Sequence, residues 1–277
     1  MVKLNQNIIE NIIKKSVTVH LYDSIDSTNN EAKRRADIDH GIHLYASSRQ
    51  TAGRGRRGNR FYSPENTGLY MTLSLPLADG AANVQKITCA AAVAVCEAIE
   101  ALSVVRPQIK WVNDIFVGGK KAGGILTELI TDSDNRPTAV IIGIGLNLNT
   151  EFFPAEIADK AGNIGDIDIN MLCAAIVNNM LKLFEDLADT RLRLEQSCNP
   201  SVDIRRQFPL PKGASNNNSV IEKYKRLNLC IGHNVRFTKG GTEHTAKAVG
   251  IADDGGLIVE ENGGITVLNS GEISVVL

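Results

Sequence analysis

The sequence predicts an α+β fold, in which a β-sheet domain flanked by helices is followed by a small all-β domain. Up to about residue 228, short segments of alternating apolar and polar residues are interleaved with longer helical patterns. From about Ile231 the chain has short strand patterns separated by Gly- and Asn-rich turns, which is typical of a small β-barrel. Because 277 residues suffice for one large and one small domain, we place the domains at residues 1–228 and 229–277.

The individual elements follow from hydrophobic periodicity. Residues 16–22 alternate and predict a strand, while Thr28 followed by Glu31 is a capping-box pattern that predicts a helix capped by Thr28 and ending near Ala36. The other strands of the first domain are predicted at residues 42–48, 68–75, 109–117, 125–130 and 138–149. Helices are predicted at residues 83–102, from the cap Asp168 to about 188, at 190–208 and at 218–228. Strands of the second domain are predicted at residues 234–238, 245–251, 256–261, 265–269 and 272–277.

The composition argues against several classes of protein. Basic and acidic side chains number 30 and 31, whereas a nucleic-acid-binding domain usually has a basic excess. Only about fifteen residues precede the first predicted strand, too few for a three-helix DNA-binding domain, so we expect no DNA binding. No apolar run approaches the length of a membrane span, so no membrane association is expected. The five cysteines lack metal-ligand spacing, and we expect a cytoplasmic protein with reduced thiols.

The most unusual segment is QTAGRGRRGNR, residues 50–60, which carries four arginines, three glycines and no acid. Its glycines match G-x-G-x-x-G, but the following NRFYSPENTG has no helical period, which argues against a dinucleotide-binding fingerprint. The P-loop and kinase patterns are also missing. Glycines allow backbone amides to turn towards an anion, and guanidinium groups bind phosphate oxygens in pairs. We therefore expect this loop to bind phosphate rather than to be only a solvated turn.

Three further segments are compatible with a ligand site, although each also has a purely structural explanation. IDSTNNEA, residues 25–32, presents hydroxyl and amide groups at a strand-to-helix turn, or only caps the helix. KWVNDIFVGGKKAGG, residues 110–124, is either a hairpin with exposed lysines or a place where a ligand approaches the backbone and meets Lys121. GIGLNLN, residues 143–149, ends a buried strand, where ligand crevices commonly open.

Taken in order, the segments STN, RQTAGRGRRG, YSP, KWVND, KKAGGIL and GIGLNLN closely resemble the biotin protein ligase family, in the form that lacks an N-terminal DNA-binding domain. The resemblance covers residues 16 to about 150, and the C-terminal domain is similar to the small SH3-like domain of that family. It implies a mixed β-sheet catalytic domain flanked by helices, with an SH3-like β-barrel after it. Two positions depart from the family: Val112 replaces the usual proline, and Phe61 stands where tryptophan is usual.

The resemblance also implies a role for each matching residue. Biotin-binding residues are implied at Ser27, Thr28, Asn29, Gln50, Arg54, Gly55, Arg56, Lys121 and Gly124. Residues that bind ATP or the adenylate are implied at Arg56, Arg57, Asn113, Lys121 and Asn147. The implied catalytic residues are Lys121, Arg54, Arg56 and Asp114, while the residues that hold the metal ion are left unassigned.

The family reaction that the resemblance implies has two steps. The carboxylate of biotin attacks the α-phosphate of ATP, giving biotinyl-5'-adenylate and pyrophosphate, and a lysine of a biotin carboxyl carrier protein then attacks the mixed anhydride. Biotin, ATP with Mg²⁺ and the carrier protein are the implied partners of a monomer or homodimer. The alternatives are a lipoate or octanoate protein ligase, which we expect to lack this form of the arginine-glycine loop, and a non-catalytic biotin-binding or regulatory module.

Overall fold

A computed structural model describes residues 3–36, 38, 41–77, 83–186 and 217–276. The helix predicted at 190–208 lies outside these residues. None of the helices in the described ranges combines the length and apolar character that a membrane crossing needs.

A seven-stranded mixed sheet forms the centre of the first domain, as predicted. Its strands are β1 (Thr18–Tyr22), β2 (His43–Ser47), β3 (Gly68–Pro76), β4 (Gln108–Lys110), β5 (Asp114–Val117), β6 (Lys120–Thr131) and β7 (Pro137–Asn147). Their order across the sheet is β1-β2-β3-β7-β6-β5-β4. The pair β1–β2 is parallel, and the other pairs are antiparallel. The predicted strand 109–117 is divided into β4 and β5 by a turn that contains Trp111 and Asn113.

Helices cover both faces of this sheet. They are α1 (Gln6–Ile12), α2 (Thr28–Arg35), α3 (Val84–Leu102), α4 (Ile169–Asp186) and α5 (Asn217–Leu227). On one face α3 packs against α4 and α5, so its Ala- and Val-rich sequence is almost entirely buried. On the other face α2 contributes Ala32 to a small cluster with Tyr45 and Ile141. Successive strand residues point to opposite faces, and for this reason Leu44 and Ala46 join the large core while Tyr45 does not.

The C-terminal domain is a five-stranded antiparallel sheet. Its strands are β8 (Asn234–Lys239), β9 (Thr242–Ile251), β10 (Leu257–Glu261), β11 (Gly264–Leu268) and β12 (Ile273–Val276). They are ordered β11-β10-β9-β8-β12, and every pair is antiparallel. Inward residues such as Val235, Ala246 and Val259 are buried, as the alternating sequence predicts. The domain boundary at residue 228, just after the end of α5, remains a prediction.

Candidate active site

A cavity of about 500 Å³ opens between the central sheet, the start of α2, the arginine-glycine loop and the C-terminal domain. The first domain lines it with Ser27, Thr28, Asn29, Gln50, Arg54, Gly55, Arg56, Asn59, Arg60, Phe61, Met71, Lys110, Trp111, Asn113, Asp114, Lys121, Gly124, Ile125, Leu126, Gly143, Ile144 and Gly145. The C-terminal domain adds residues of β8, β9 and β12 and the turn before β12. The volume falls in the range of small-molecule and cofactor sites.

The start of α2 forms one end of this cavity. Its N-cap is Ser27 rather than Thr28, so the predicted capping box is wrong. The main-chain N–H of Thr28 donates to Gln50 Oε1 at 2.9 Å, and its hydroxyl donates to the same atom at 3.2 Å. Glu31 instead pairs with Arg34 on the helix surface. The hydroxyl expected to cap the helix therefore links α2 to the arginine-glycine loop.

Asn29 lies in the wall with both ends of its amide engaged. Its Oδ1 accepts from the hydroxyl of Thr72 at 2.7 Å, and its Nδ2 donates to Glu128 at 3.0 Å and to the Leu126 carbonyl at 3.4 Å. The Ser27 hydroxyl makes no hydrogen bond to any residue that the structure describes, although Ser27 is only 1% exposed. Ser27 therefore offers this end of the cavity a free polar group, while Asn29 is held as part of the framework.

Glu128 on β6 connects α2 to the arginine-glycine loop from behind the cavity. Its carboxylate accepts two hydrogen bonds from the Arg54 guanidinium, at 3.0 and 3.1 Å, and one from Lys33 at 2.7 Å. Burial opposes ionisation of Glu128, but the hydrogen bonds from Lys33 and Asn29 and the charges of Lys33 and Arg54 outweigh it and lower the pKa of the carboxyl. Arg54 is therefore already paired with a carboxylate of the protein, which it shares with Lys33.

Arg56 differs from Arg54 because its nearest polar partner is an uncharged amide. One Nη donates to Asn113 Oδ1 at 3.0 Å. Burial first, and then the neighbouring charge of Arg57, lower the pKa of Arg56. A partly buried cation with a second cation beside it is stabilised when an anion binds. Arg56 is thus the arginine that best fits the predicted phosphate.

Lys121 and Asp114 form an ion pair in the cavity, with Nζ and Oδ1 separated by 2.7 Å. The two residues lie on the adjacent strands β6 and β5. The main chain of Lys121 is held from outside, because its N–H donates to the Lys160 carbonyl at 2.8 Å and its carbonyl accepts from the Gly162 N–H at 2.9 Å. The neighbouring Lys120 is exposed and does not line the cavity. Of the two neighbouring lysines, Lys121 is therefore the one that lies in the cavity.

Two glycines on β7 make room for the cavity walls. A Cβ at Gly143 would overlap the Asn29 amide, and a Cβ at Gly145 would lie 2.5–2.8 Å from three atoms of the Phe61 ring. Phe61 also packs edge-on against Tyr70, with ring centroids 6.4 Å apart. The ring of Phe61, which is smaller than the tryptophan usual in the family, therefore lies directly on β7.

Gly145→Ala is expected to weaken biotin binding about tenfold, because Phe61 would be pushed into the cavity and overpacking costs ~1–3 kcal/mol. Titration calorimetry with biotin measures this effect. Gly264→Ala is the matched control, since its added Cβ would meet nothing closer than the Glu261 carbonyl at 3.5 Å. Unchanged affinity in the Gly145 variant would show that Phe61 is not a wall of the biotin site.

Most of the residues implied by the sequence come together in one place. The cavity is lined by Ser27, Thr28, Asn29, Gln50, Arg54, Gly55, Arg56, Asn113, Asp114, Lys121 and Gly124. Arg57 and Asn147 do not line it. Arg57 is exposed with φ of 54°, and the Asn147 amide donates to the Gly162 carbonyl at 3.1 Å. The roles of all these residues remain predictions.

Several cavity residues were not proposed from the sequence as site residues. Trp111, Gly143 and Gly145 lay within the segments singled out, but buried apolar residues and strand glycines are also common in cores. Arg236, Phe237 and Glu272 reach the cavity from the C-terminal domain, and nothing in their local sequence pattern indicates this. Glu128 is a single carboxylate in a strand, and only its partners in space reveal its connection to the site.

A magnesium ion would fit this cavity as a companion of a bound nucleotide rather than as a metal held by the protein alone. The described parts of the chain contain no cluster of three or more His, Cys, Asp or Glu side chains suited to a metal. Magnesium at nucleotide sites is typically held by one or two carboxylates, water and the phosphates themselves. Asp114, Glu243 and Glu272 line the cavity and supply such carboxylates.

The fold and the site define a protein ligase of the biotin and lipoate class. Residues 21–147 match the biotin/lipoate A/B protein ligase family, and residues 230–276 match the biotin protein ligase C-terminal domain. The chain belongs to the biotin protein ligases, as the sequence resemblance implied.

Similar proteins carry the same assignment. The bifunctional ligase/repressor BirA of Bacillus spizizenii is 34% identical over 236 residues, which are 84% of this chain and 66% of that protein. The chain thus spans just under two thirds of that relative. A biotin–[acetyl-CoA-carboxylase] ligase of Paracoccus denitrificans is 37% identical over 125 residues, or 44% of this chain and 51% of that one. The biotin protein ligase of Aquifex aeolicus, solved with biotin and ATP, shares the fold with a TM-score of 0.72 at 24% identity, covering 93% of this chain and 98% of that one.

Proposed function

We propose that this protein activates biotin with ATP to biotinyl-5'-adenylate and transfers the biotinyl group to a lysine of a biotin carboxyl carrier protein. The observation that carries the proposal is the arrangement of one cavity. Thr28 and Gln50 form a neutral hydrogen-bonded group next to Ser27, while Arg56 and the Lys121–Asp114 pair bring charged groups into the same cavity. This combination suits a ligand that has both a neutral polar ring and a carboxylate.

The first step needs positive charge and alignment rather than a base. A carboxylic acid with a pKa of ~4.3, judged from glutamate, is already ionised at neutral pH. The obstacle is repulsion between this carboxylate and the nucleotide phosphates, so the site must hold both anions in line and stabilise the charge of the transition state. Arg56 and Lys121 supply that charge, and Mg²⁺ bound with ATP would neutralise further phosphate charge. Arg54 acts through Glu128 by anchoring the loop.

The second step needs an uncharged amine. The ε-amino group of a free lysine has a pKa of ~10.4, so the acceptor lysine arrives mostly protonated. Asp114 lies 2.7 Å from Lys121 and is a carboxylate of the cavity close to the reacting centre. We propose that Asp114 orients Lys121 in the first step. In the second step, once Lys121 has moved away, the Asp114 carboxylate would accept the proton that the incoming ammonium must lose before its nitrogen attacks.

Several features support the acceptor and the setting of this reaction. The name of the Paracoccus relative gives a carboxylase as the protein that it modifies, which supports a carboxyl carrier protein as acceptor here. The four described cysteines are buried and unpaired, which fits the reduced environment of a cytoplasmic protein. Arg57 and Asn147 are proposed to reach the nucleotide only once it is bound, since neither lines the cavity in this structure.

Biotin-dependent ATP–pyrophosphate exchange tests the proposed function most directly. We expect exchange with biotin and none with lipoate as the control substrate. Exchange with lipoate alone would instead indicate a lipoate ligase. Biotin binding without any exchange would indicate a non-catalytic biotin-binding module.

A further inference from the structure

The turn between β4 and β5 connects the cavity to the C-terminal domain. Trp111 in this turn lines the cavity but is only 3% exposed, so most of its indole contacts protein. Its Nε1 donates to the carbonyl of Gly255, in the turn between β9 and β10, at 2.9 Å. Its main-chain N–H lies 3.4 Å from the sulfur of Cys230. A wall of the ligand cavity is therefore fixed by residues of the C-terminal domain.

Gly255 occupies a place that only glycine fits. Its φ is 93°, in the region that side chains disfavour. An added Cβ would also lie 2.9 Å from the sulfur of Cys89 and 3.2 Å from Cγ of Gln85, both on α3. The β9–β10 turn is thus wedged between α3 and Trp111. A small displacement of this turn would carry the Gly255 carbonyl away from the indole.

Tyr224 on α5 holds the same turn from a second direction. Its hydroxyl donates to the Val112 carbonyl at 3.0 Å, and its side chain is fully buried. Just after α5, the Leu229 N–H donates to the Ile109 carbonyl at 2.9 Å. Hydrogen bonds therefore hold the chain on both sides of Trp111, at Ile109 and at Val112. Both donors belong to segments that follow the central sheet in the sequence.

The turn between β4 and β5 also contains Asn113, which contacts Arg56. Asn113 donates to the Ile125 carbonyl at 3.0 Å and accepts from Arg56 at 3.0 Å. The position of the Arg56 guanidinium therefore depends on the position of the turn. The end of the cavity formed by Ser27, Thr28 and Gln50 has its own hydrogen bonds, which do not involve the turn.

We propose that Gly255 and Tyr224 are positioning residues, through which the C-terminal part of the chain sets the Trp111–Asn113 turn and, through it, Arg56. This inference rests on the proposed function and assigns a role to the C-terminal domain within it. The domain acts on the nucleotide end of the cavity and leaves the biotin end largely independent.

A pair of glycine variants tests this proposal. Gly255→Ala is expected to raise KM for ATP in the exchange assay about tenfold while changing the Kd for biotin less than twofold. Gly263→Ala is the matched control, because it lies in the β10–β11 turn of the same domain with φ of 77° and nothing within 4 Å of an added Cβ. Both variants place a side chain at a positive φ and so carry the same kind of backbone strain, so that the two differ only in the contact that the new Cβ makes. Equal changes in KM for the two variants would overturn the proposal.

Fluorescence gives a readout that does not need activity, since Trp111 is the only tryptophan in the chain. We expect the emission of Gly255→Ala to shift to longer wavelength as water reaches the indole, and that of Gly263→Ala to stay unchanged. Adding Cys89→Ala should partly reverse the Gly255→Ala effects, because it removes the sulfur that the new Cβ would meet. Unchanged emission in Gly255→Ala would overturn the proposal even if the wild type lacked exchange activity.

Tyr224→Phe provides a second test if Gly255→Ala does not fold, because it adds no atoms. Loss of the hydroxyl leaves the Val112 carbonyl unpaired, and we expect KM for ATP to rise about fivefold with little change in biotin affinity. An equal loss of biotin and ATP affinity would indicate general destabilisation and would count against positioning. Absence of exchange in the wild type would refute the proposed function, while the emission spectra would still decide the positioning role.

Discussion

Lys121→Ala is expected to reduce biotin-dependent ATP–pyrophosphate exchange by about 10²–10³-fold, the usual cost of removing one group that stabilises transition-state charge. The Lys121 ammonium lies in the cavity, 2.7 Å from a carboxylate oxygen of Asp114. Removing it takes away positive charge where two anions must approach each other. Initial exchange rates at saturating biotin and ATP measure the effect on kcat.

Lys120→Ala is the matched control for this prediction. The two lysines are neighbours in the sequence, and both lie at the start of β6. Lys120 is exposed, does not line the cavity, and packs its stem against Gly162. We expect its loss to change the exchange rate less than threefold. Equal losses in the two variants would show that the wrong lysine has been assigned to the reaction.

Glu128→Gln is expected to lower the free energy of unfolding by about 2–3 kcal/mol at pH 7, less than the ~3–5 kcal/mol of a fully buried pair because the side chain is partly exposed. The variant removes the carboxylate that accepts from Arg54, Lys33 and Asn29. For a chain of this size the midpoint of thermal unfolding should fall by roughly 5–10 °C. Biotin affinity should fall as well, because Asn29 and Arg54 both line the cavity.

The effect of this variant should depend on pH in a defined direction. The pKa of Glu128 is lower in the folded protein than its ordinary value of 4.5. Its stabilising contribution is therefore fully present above about pH 4.5 and is lost as the pH falls through the folded pKa. The difference in unfolding midpoint between wild type and Glu128→Gln should shrink between pH 7 and pH 3. Asp134→Asn, in an exposed surface turn, is the control and should have little effect at pH 7.

The fold could be predicted largely from local sequence because its elements have clear periodicity. The Ala- and Val-rich helix predicted at 83–102 is α3, Val84–Leu102, and the predicted cap Asp168 accepts hydrogen bonds from the main-chain N–H groups of Asn170 and Met171. Thr28 is the instructive exception. Its hydroxyl has a cap-forming position in the sequence, yet in the structure it donates to Gln50 and accepts from Thr72. A local sequence pattern cannot show whether a hydroxyl will form a hydrogen bond with its own helix or with a residue that is distant in the sequence.

For the candidate site, too, the sequence identified the residues, and the structure shows their contacts. The order of the segments brought Lys121, Asp114, Arg56 and Gln50 to attention, and all four line one cavity. The sequence resemblance implied a catalytic role for both Arg54 and Arg56, whereas the structure separates Arg54, which is paired with the Glu128 carboxylate, from Arg56, which has an amide partner. That distinction depends on β6 passing behind the loop, 74 residues further along the chain.

The sequence by itself determined the class of fold and the family, and it predicted a phosphate-binding loop, because periodicity, glycine turns and the order of short motifs are local properties. Only the tertiary structure decided that a carboxylate holds Arg54 but not Arg56, which amide is held as framework, and that the C-terminal domain fixes Trp111 through Gly255. These outcomes depend on hydrogen bonds between residues far apart in the chain. The free energy of such contacts is set by burial and geometry, which appear only when the elements pack together.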